Sequence, residues 1–461
     1  MRKSFFHHGD SSRAPLTTLG DWMLACVFGL SLVVGPGANA DDDSPSGYLA
    51  LTDVRIMTAA KEGTIDRGTV LIRDGQIEAV GQDVSIPAGS AVLSAPGKTI
   101  MPGVIDPYYV IRVSGAPVST QRTIVFQGRV FVIGGSPAAN DNNFVRLEDA
   151  FVPENWNWRA AIRSGITTVN LTSRGFGLSC TASPRIDSAD VRLDTDSPQT
   201  YIAVSNEPGS LKVLRGGLKP PRKSSSSSSR SSTSSSRSSS SSKTDSKDDD
   251  APEEADSKTD PNDPWEAIRA GERPLLVNAN NAAAVLYVAE ELKKDENKKV
   301  ELGLVVSGQD ALLCMESLED FPADRLTLIL QPTLTTETNT QRLVNVAAMA
   351  AEREIPFVFS PASRQSDFRN SQDVPFFSVS QLVHYGLDPE LALQALTSGP
   401  AELIGLGEKT GSVEPEKRAD LILLDGDPMT EMARIERVWS GGREVYSFES
   451  GQTPALAGSG S

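Results

Sequence analysis

Histidine is almost missing from this chain, and that scarcity narrows its chemistry more than any other feature. Only His7, His8 and His384 occur among 461 residues. Cysteine is as rare, with Cys26, Cys180 and Cys314. No Cys-x-x-Cys and no His-Glu-x-x-His spacing occurs, so zinc is offered no ready-made motif. Cys180 and Cys314 read as buried free thiols, with a disulfide in an oxidising compartment as the alternative. Positive charge is also in deficit. Lys and Arg number 44 against 60 Asp and Glu, a formal net charge of −16. Phosphate binding needs a basic surface, so nucleic acid is excluded as a partner. Aromatic residues make up 6% of the chain, which agrees.

Several catalytic signatures are missing too. Gly177-Leu178-Ser179-Cys180 is not a Gly-x-Ser-x-Gly elbow, and only His384 would serve a Ser-His-Asp triad once the N-terminus is removed. The Gly-rich stretch VIGGSP (132–137) lacks both the phosphate-loop lysine and the Gly-x-Gly-x-x-Gly spacing.

What is present begins with an export signal at 1–40. Arg2 and Lys3 supply positive charge, Trp22–Val34 is an apolar stretch too short to span a bilayer comfortably, and Ala38-Asn39-Ala40 fits a small-x-small cleavage site. The mature chain would start at Asp41, be periplasmic or extracellular, and carry no transmembrane span. Its length allows about two or three domains, and a hydrophobic share of 39% supplies a sizeable core.

The first stretch, 41–102, has a β texture, with Asp74-Gly75 between apolar runs as a hairpin signal. From 103 to 400 strands and helices alternate. Strand-like runs include Ile166–Leu171, Pro274–Val277, Leu302–Val306, Leu326–Leu330 and Ile355–Phe359. Asn281–Lys293 sets Ala284, Tyr287, Val288 and Leu292 at helical spacing. Such alternation implies parallel βαβ units, and their number suggests a barrel with an eighth strand that is irregular or lost. Within it, 206–263 reads as an unstructured insertion, serine-rich at 224–242 and acidic at 244–263, because neither part can bury apolar surface. Pro389–Thr397 predicts a helix with Asp388 as its N-cap. The last part, 401–446, returns to β structure around a Gly441-Gly442 hairpin, and 447–461 reads as a flexible tail.

Three segments carry a family resemblance. They are 48–106, ending in KTIMPGVID; RAAIRSGITTV (159–169); and HYGLDPELALQALTSGPAELIGLGEKTGSVEPEKRADLILLDGDP (384–428), continuing to VWSGGREVY (438–446). Together they resemble the amidohydrolase superfamily, the imidazolonepropionase- and dihydroorotase-like metal-dependent hydrolases. The resemblance implies an α/β fold: a TIM-like (β/α) barrel, here incomplete, beside a composite β-sandwich built from N- and C-terminal strands. It also implies hydrolysis of non-peptide carbon–nitrogen bonds by water activated on one or two divalent metals, since the ion depresses the water's pKa.

The same resemblance marks where those metals would be held, and there the residues differ. Tyr108 and Val110 stand where a His-x-His pair is expected after MPGVID. Asn278 stands where PLLVNAN would carry the next histidine. Ser307 and Gly308 end the following strand without one. Ser360 and Pro361 fall near the expected aspartate, with Asp367 further on. Val110 has no donor atom, a phenol ionises only near pH 10, and an amide binds zinc poorly. Asp106 survives just before the lost pair and reads as a cap on backbone amides. Asp310, Asp367 and Glu154 are conceivable partners for it in an all-oxygen site.

The sequence therefore predicts no cofactor and a catalytically silent binding or partner subunit. Such a chain would hold a small molecule or associate with an active amidohydrolase relative, and oligomerisation is left open. Two alternatives stand beside it. One is an active hydrolase using a divalent zinc, manganese or iron ion on a rearranged site of Asp106 with Asp310 or Asp367. The other is a structural envelope protein.

Overall fold

The computed structural model describes residues 47–111, 122–126, 129–133, 144–150, 158–173, 176–184, 191–194, 199–204, 208–219, 265–361, 374–429 and 433–448. The export signal, the serine tract, the acidic run, Glu154, Asp367 and the tail beyond 448 lie outside the described residues. So does the side chain of Cys180.

Two sets of strands build the molecule. The outer set opens with β1 (Tyr48–Met57), β2 (Thr64–Arg73), β3 (Gln76–Gly81), β4 (Ala91–Ser94) and β5 (Thr99–Pro102). The inner set follows as β6 (Val104–Ile111), β7 (Ile166–Ser173), β8 (Thr200–Val204), β9 (Leu275–Ala279), β10 (Leu302–Val305), β11 (Leu326–Leu330) and β12 (Phe357–Phe359). The outer set closes with β13 (Leu421–Asp425), β14 (Arg434–Ser440) and β15 (Arg443–Ser447).

The outer strands form one eight-stranded sheet, in the order β15-β14-β13-β5-β1-β2-β3, with β4 also on β1. N- and C-terminal strands thus share one continuous hydrogen-bonded sheet. Period-two alternation between two cores explains why Leu421–Leu424 are all apolar. Leu421 and Leu423 enter a core with Ile56, Ile72, Ile100 and Trp439. Ile422 and Leu424 face the other way, into the core that holds the inner strands. Both hairpin signals give tight turns. Asp74 and Gly75 have φ of 50° and 86°, and Gly441 and Gly442 have 55° and 77°. Two successive positive φ values match the strand twist, and glycine adopts them without strain. The two turns touch: a Cβ on Gly75 would lie 2.8 Å from the Gly441 carbonyl oxygen.

The inner strands form two parallel arcs, β6-β7 and β8-β9-β10-β11-β12. Between β7 and β8 the chain departs from a regular barrel. Phe176–Leu178 pairs antiparallel with β8, and Cys180–Pro184 pairs antiparallel with β7. Backbone ladders among the described residues therefore stop short of a closed parallel ring. Side chains bridge both gaps. Ser173 Oγ and Tyr201 Oη are 2.6 Å apart across one, and Ser360 Oγ donates to Asp106 Oδ1 at 2.7 Å across the other.

Helices of the inner layer follow local rules. α1 is Pro208–Leu218, α2 Ala282–Leu292, α3 Gly308–Leu313, α4 Val374–His384 and α5 Pro389–Leu396. Asn281 caps α2 by accepting from Ala284 N, and Ala284, Val288 and Leu292 are buried as their spacing predicts, with Tyr287 only partly so. Asp388 caps α5, accepting from Glu390 N and Leu391 N, with Pro389 in the first turn. No helix among the described residues is long and apolar enough to cross a membrane.

α1 corrects one expectation, since it lies inside the range 206–263 read as unstructured. Three glycines weaken its intrinsic helicity. Contacts compensate. Leu214 and Leu218 are buried, and Arg215 Nε reaches Glu291 Oε2 on α2 at 3.1 Å. Beyond α1 the chain leaves the described body at Lys219 and re-enters at Trp265. The two ends meet there. A Cβ on Gly217 would fall 2.0 Å from the Trp265 ring, Arg269 donates to Gly217 O at 2.6 Å, and Trp265 stacks on Phe176 at 5.2 Å. Replacing 220–264 by a short Gly-Ser turn is therefore expected to preserve the melting temperature or raise it. Shortening the loop several-fold recovers about 1–1.5 kcal/mol of closure entropy. A melting temperature that falls by several degrees would show that the segment supports the fold.

Glu291 also accepts from Lys294, at 2.7 Å. Burial works to raise its carboxyl, but Lys294 and Arg215 outweigh burial and hold it below its ordinary value of 4.5. A carboxyl depressed on folding stabilises the protein above its unfolded pKa, and that stability is lost as pH falls through the folded one. Glu291→Gln is expected to cost about 1–2 kcal/mol at neutral pH, allowing for solvent around both cations. The gap to the parent should shrink as pH drops below 4.5 in paired thermal melts.

Candidate functional site

Of the residues singled out from the sequence, Asp106, Tyr108, Val110, Asn278 and Pro361 lie on or just after β6, β9 and β12. Tyr108 lies on β6 and is 1% exposed. Its backbone N donates to Asp106 Oδ1 at 3.1 Å, so Asp106 does cap the strand as its position suggests. Asp106 is wholly buried and also accepts from Ser360, whose hydroxyl lies 3.3 Å from the Tyr108 carbonyl. Pro361 follows, half-buried. Val110 is half-buried and apolar. Asn278, near the end of β9, is half-buried and stands beside the Tyr108 hydroxyl with Thr172 of β7.

The Tyr108 hydroxyl is sealed from solvent and makes no hydrogen bond of good geometry, although Asn278 and Thr172 lie close enough to act on it. Burial pushes its phenol far above the ordinary value of 10.0. The polar side chains of Asn278 and Thr172 pull the other way, and nearby Tyr201 adds to the rise. Tyr108 therefore stays a neutral phenol. Tyr201, itself 0% exposed, is hydrogen-bonded to Ser173. The polar side chains near this end are therefore hydroxyls and one amide, with Asp106 as a carboxylate held by Ser360 and the Tyr108 amide.

Asp310 is placed differently. It sits in the first turn of α3, half-buried, with Ser307 Oγ donating to its Oδ2 at 2.5 Å and its own N–H donating to Ser307 Oγ at 3.1 Å. That reciprocal pairing is a capping arrangement at a helix start. Among the described residues no group of three or more His, Cys, Asp or Glu side chains is placed to hold a metal ion. His384 is exposed at the end of α4, edge-on to Tyr385. Cys314 carries a free, buried thiol, and burial raises its pKa.

Thr172, Ser173 and Tyr201 were not found from the sequence. They fall where the family resemblance is weakest, and nothing local distinguishes a hydroxyl at a strand end from any other. A separate recess of about 390 Å³ lies at the opposite ends of the strands, where Glu272, Arg273, Glu301 and Glu402 line it. In barrels of this kind that end serves stability, so the Tyr108 end is the candidate site.

Comparison with known proteins places the fold. Residues 365–452 match the model of the amidohydrolase family. Sequence relatives include an imidazolonepropionase from Thermoplasma volcanium, 44% identical over 77 residues, and an adenine deaminase from Methanothrix thermoacetophila, 38% identical over 80 residues. These matches cover 15% and 16% of this chain, and only 19% and 14% of the relatives. The crystal structure of an amidohydrolase from Thermotoga maritima superposes over 87% of this chain and 100% of its own, with a TM-score of 0.61 at 18% identity. Over 365–452 the chain is similar to the amidohydrolase family, and its fold is similar to that of the Thermotoga maritima amidohydrolase. The superfamily match on 365–452 includes the RADLILLD strand and the Gly441-Gly442 hairpin, two parts of the segment singled out from the sequence.

Proposed function

We propose that this amidohydrolase-like protein holds no catalytic metal and acts as a binding or partner subunit. The observation that carries the reading is the donor set at the ends of β6, β9 and β12. A divalent ion there would meet a protonated phenol, a neutral amide, hydroxyls and the side chain of Val110, with no imidazole. Asp106 supplies charge, but its Oδ1 already serves Ser360 and the Tyr108 amide. Such donors do not fit zinc, manganese or iron, which take imidazole and free carboxylate at catalytic sites. Asp310 does not repair the set, because its carboxylate is turned onto Ser307 on an exposed helix start.

Without the ion, water at neutral pH lacks the charge that makes it a nucleophile. What this chain's own residues supply is hydrogen bonding. A scaffold that keeps its fold while its donors become neutral suits recognition of a small molecule, or association with an active relative. The test is turnover. The purified full chain is offered a panel of lactams, cyclic imides and aminopurines, with and without added zinc, manganese or iron. No metal-dependent hydrolysis is expected, and chelator-sensitive turnover would contradict the reading.

A further inference from the structure

We propose that the recess at the ends of the inner strands opposite Tyr108 binds a small organic cation, an aliphatic amine or diamine. The proposal is independent of the metal-free reading, because the two places share no residue.

The first support is room. The recess measures about 390 Å³, and small-molecule sites span about 300–1,000 Å³. Strand register builds it. Thr200 pairs with Leu275, and Leu275 with Leu302, so Gln199, Pro274 and Glu301, each one residue earlier, stand side by side where the strands begin. The second support is charge. Glu272, Glu301 and Glu402 line the recess with Arg273, an excess of two negative charges. The three glutamates are exposed, so a cation reaches them from solvent. Their backbones are fixed on separate elements. Glu272 N donates to Ala267 O at 2.9 Å past left-handed Gly271, Glu301 O accepts from Leu275 N at 2.8 Å, and Glu402 belongs to the short helix Ser398–Leu403. Like charges held around one concavity repel and concentrate their field there, and a cation relieves both. An anion meets the same excess as a barrier, and a zwitterion loses at one end what it gains at the other. The third support is the mix of surfaces. Pro274 and Leu403 are half-buried walls, and Gln199, 2% exposed, is held by its Nε2 donating to Ile404 O at 3.3 Å. Apolar walls beside a charged rim suit an ammonium head on a short aliphatic stem, which lays its methylenes on the walls and its charge at the rim.

The experiment uses the full chain and three probes of one length: 1,4-diaminobutane, 1-butanol and butyrate. Saturation-transfer NMR titrations measure their binding to the parent and to Glu301→Gln, Glu402→Gln and Glu62→Gln. Glu62 is exposed and lies outside the recess lining, so its variant makes the same change in net charge elsewhere. The diamine is expected to bind the parent, and to bind the Glu301 and Glu402 variants about three- to fivefold more weakly, the size of one exposed ion pair. Glu62→Gln should leave its binding unchanged, and butanol and butyrate should give no transfer. Either recess variant suffices if the other fails to fold. Absence of diamine binding would overturn the proposal. So would equal binding of butanol or butyrate, or a loss in Glu62→Gln as large as in Glu301→Gln, which would make the attraction a property of the acidic chain as a whole.

Discussion

Replacing Asp420 with alanine is expected to lower the unfolding free energy by about 3–5 kcal/mol, the cost of leaving a largely buried charge without its partner. The Asp420 side chain is 1% exposed. It accepts from Arg418 Nε at 2.5 Å, from Thr410 Oγ1 at 3.1 Å and from the Gly441 amide at 2.9 Å. Arg418 reaches on to Thr168 Oγ1 of β7 at 2.9 Å. One carboxylate therefore fixes the β14-β15 turn, the entry to β13 and an inner strand. Alanine removes all three acceptor contacts and strands a guanidinium that is only 20% exposed. Asp420→Asn, which keeps an acceptor for Gly441 but drops the charge, should fall between parent and alanine. Urea unfolding of the three proteins measures this. A loss below about 1 kcal/mol for alanine would mean the network contributes no more than a surface ion pair.

The second large effect concerns Tyr108. Tyr108→Ala is expected to cost about 3–5 kcal/mol, as for other fully buried aromatics. Were this residue instead lining an open catalytic mouth, its removal would cost less than about 0.5 kcal/mol. Tyr108→Phe separates the ring from the hydroxyl. It removes a buried oxygen that makes no hydrogen bond of good geometry, so stability should match the parent or exceed it by about 1 kcal/mol. Alanine well tolerated, or phenylalanine as damaging as alanine, would contradict the packing described for the end of β6.

Much of this molecule was legible in its sequence where the physics is local. Asp74-Gly75 and Gly441-Gly442 specify their turns by backbone preference alone. Asp388 and Pro389 announce α5 through capping and a fixed φ. Long-range contacts carry no such signal. Ser360 finds Asp106 across 254 residues, and the turn that brings them together leaves no period in the sequence. α1 was missed because its helicity comes from Glu291 and Trp265 rather than from its own glycine-rich residues. The antiparallel course of 176–184 was missed for a related reason. A β-branched run reports that a strand exists, while its direction depends on which neighbour it meets.

The central claim, that neutral donors replace a metal-binding set, is tested most directly by metal content. The full chain is produced in medium supplemented with zinc, manganese and iron, purified without chelator and analysed by inductively coupled plasma mass spectrometry. The account predicts each metal at well below one equivalent per chain. One equivalent of a divalent metal that persists through dialysis, and is lost when Asp106 and Asn278 are replaced by alanine, would contradict it.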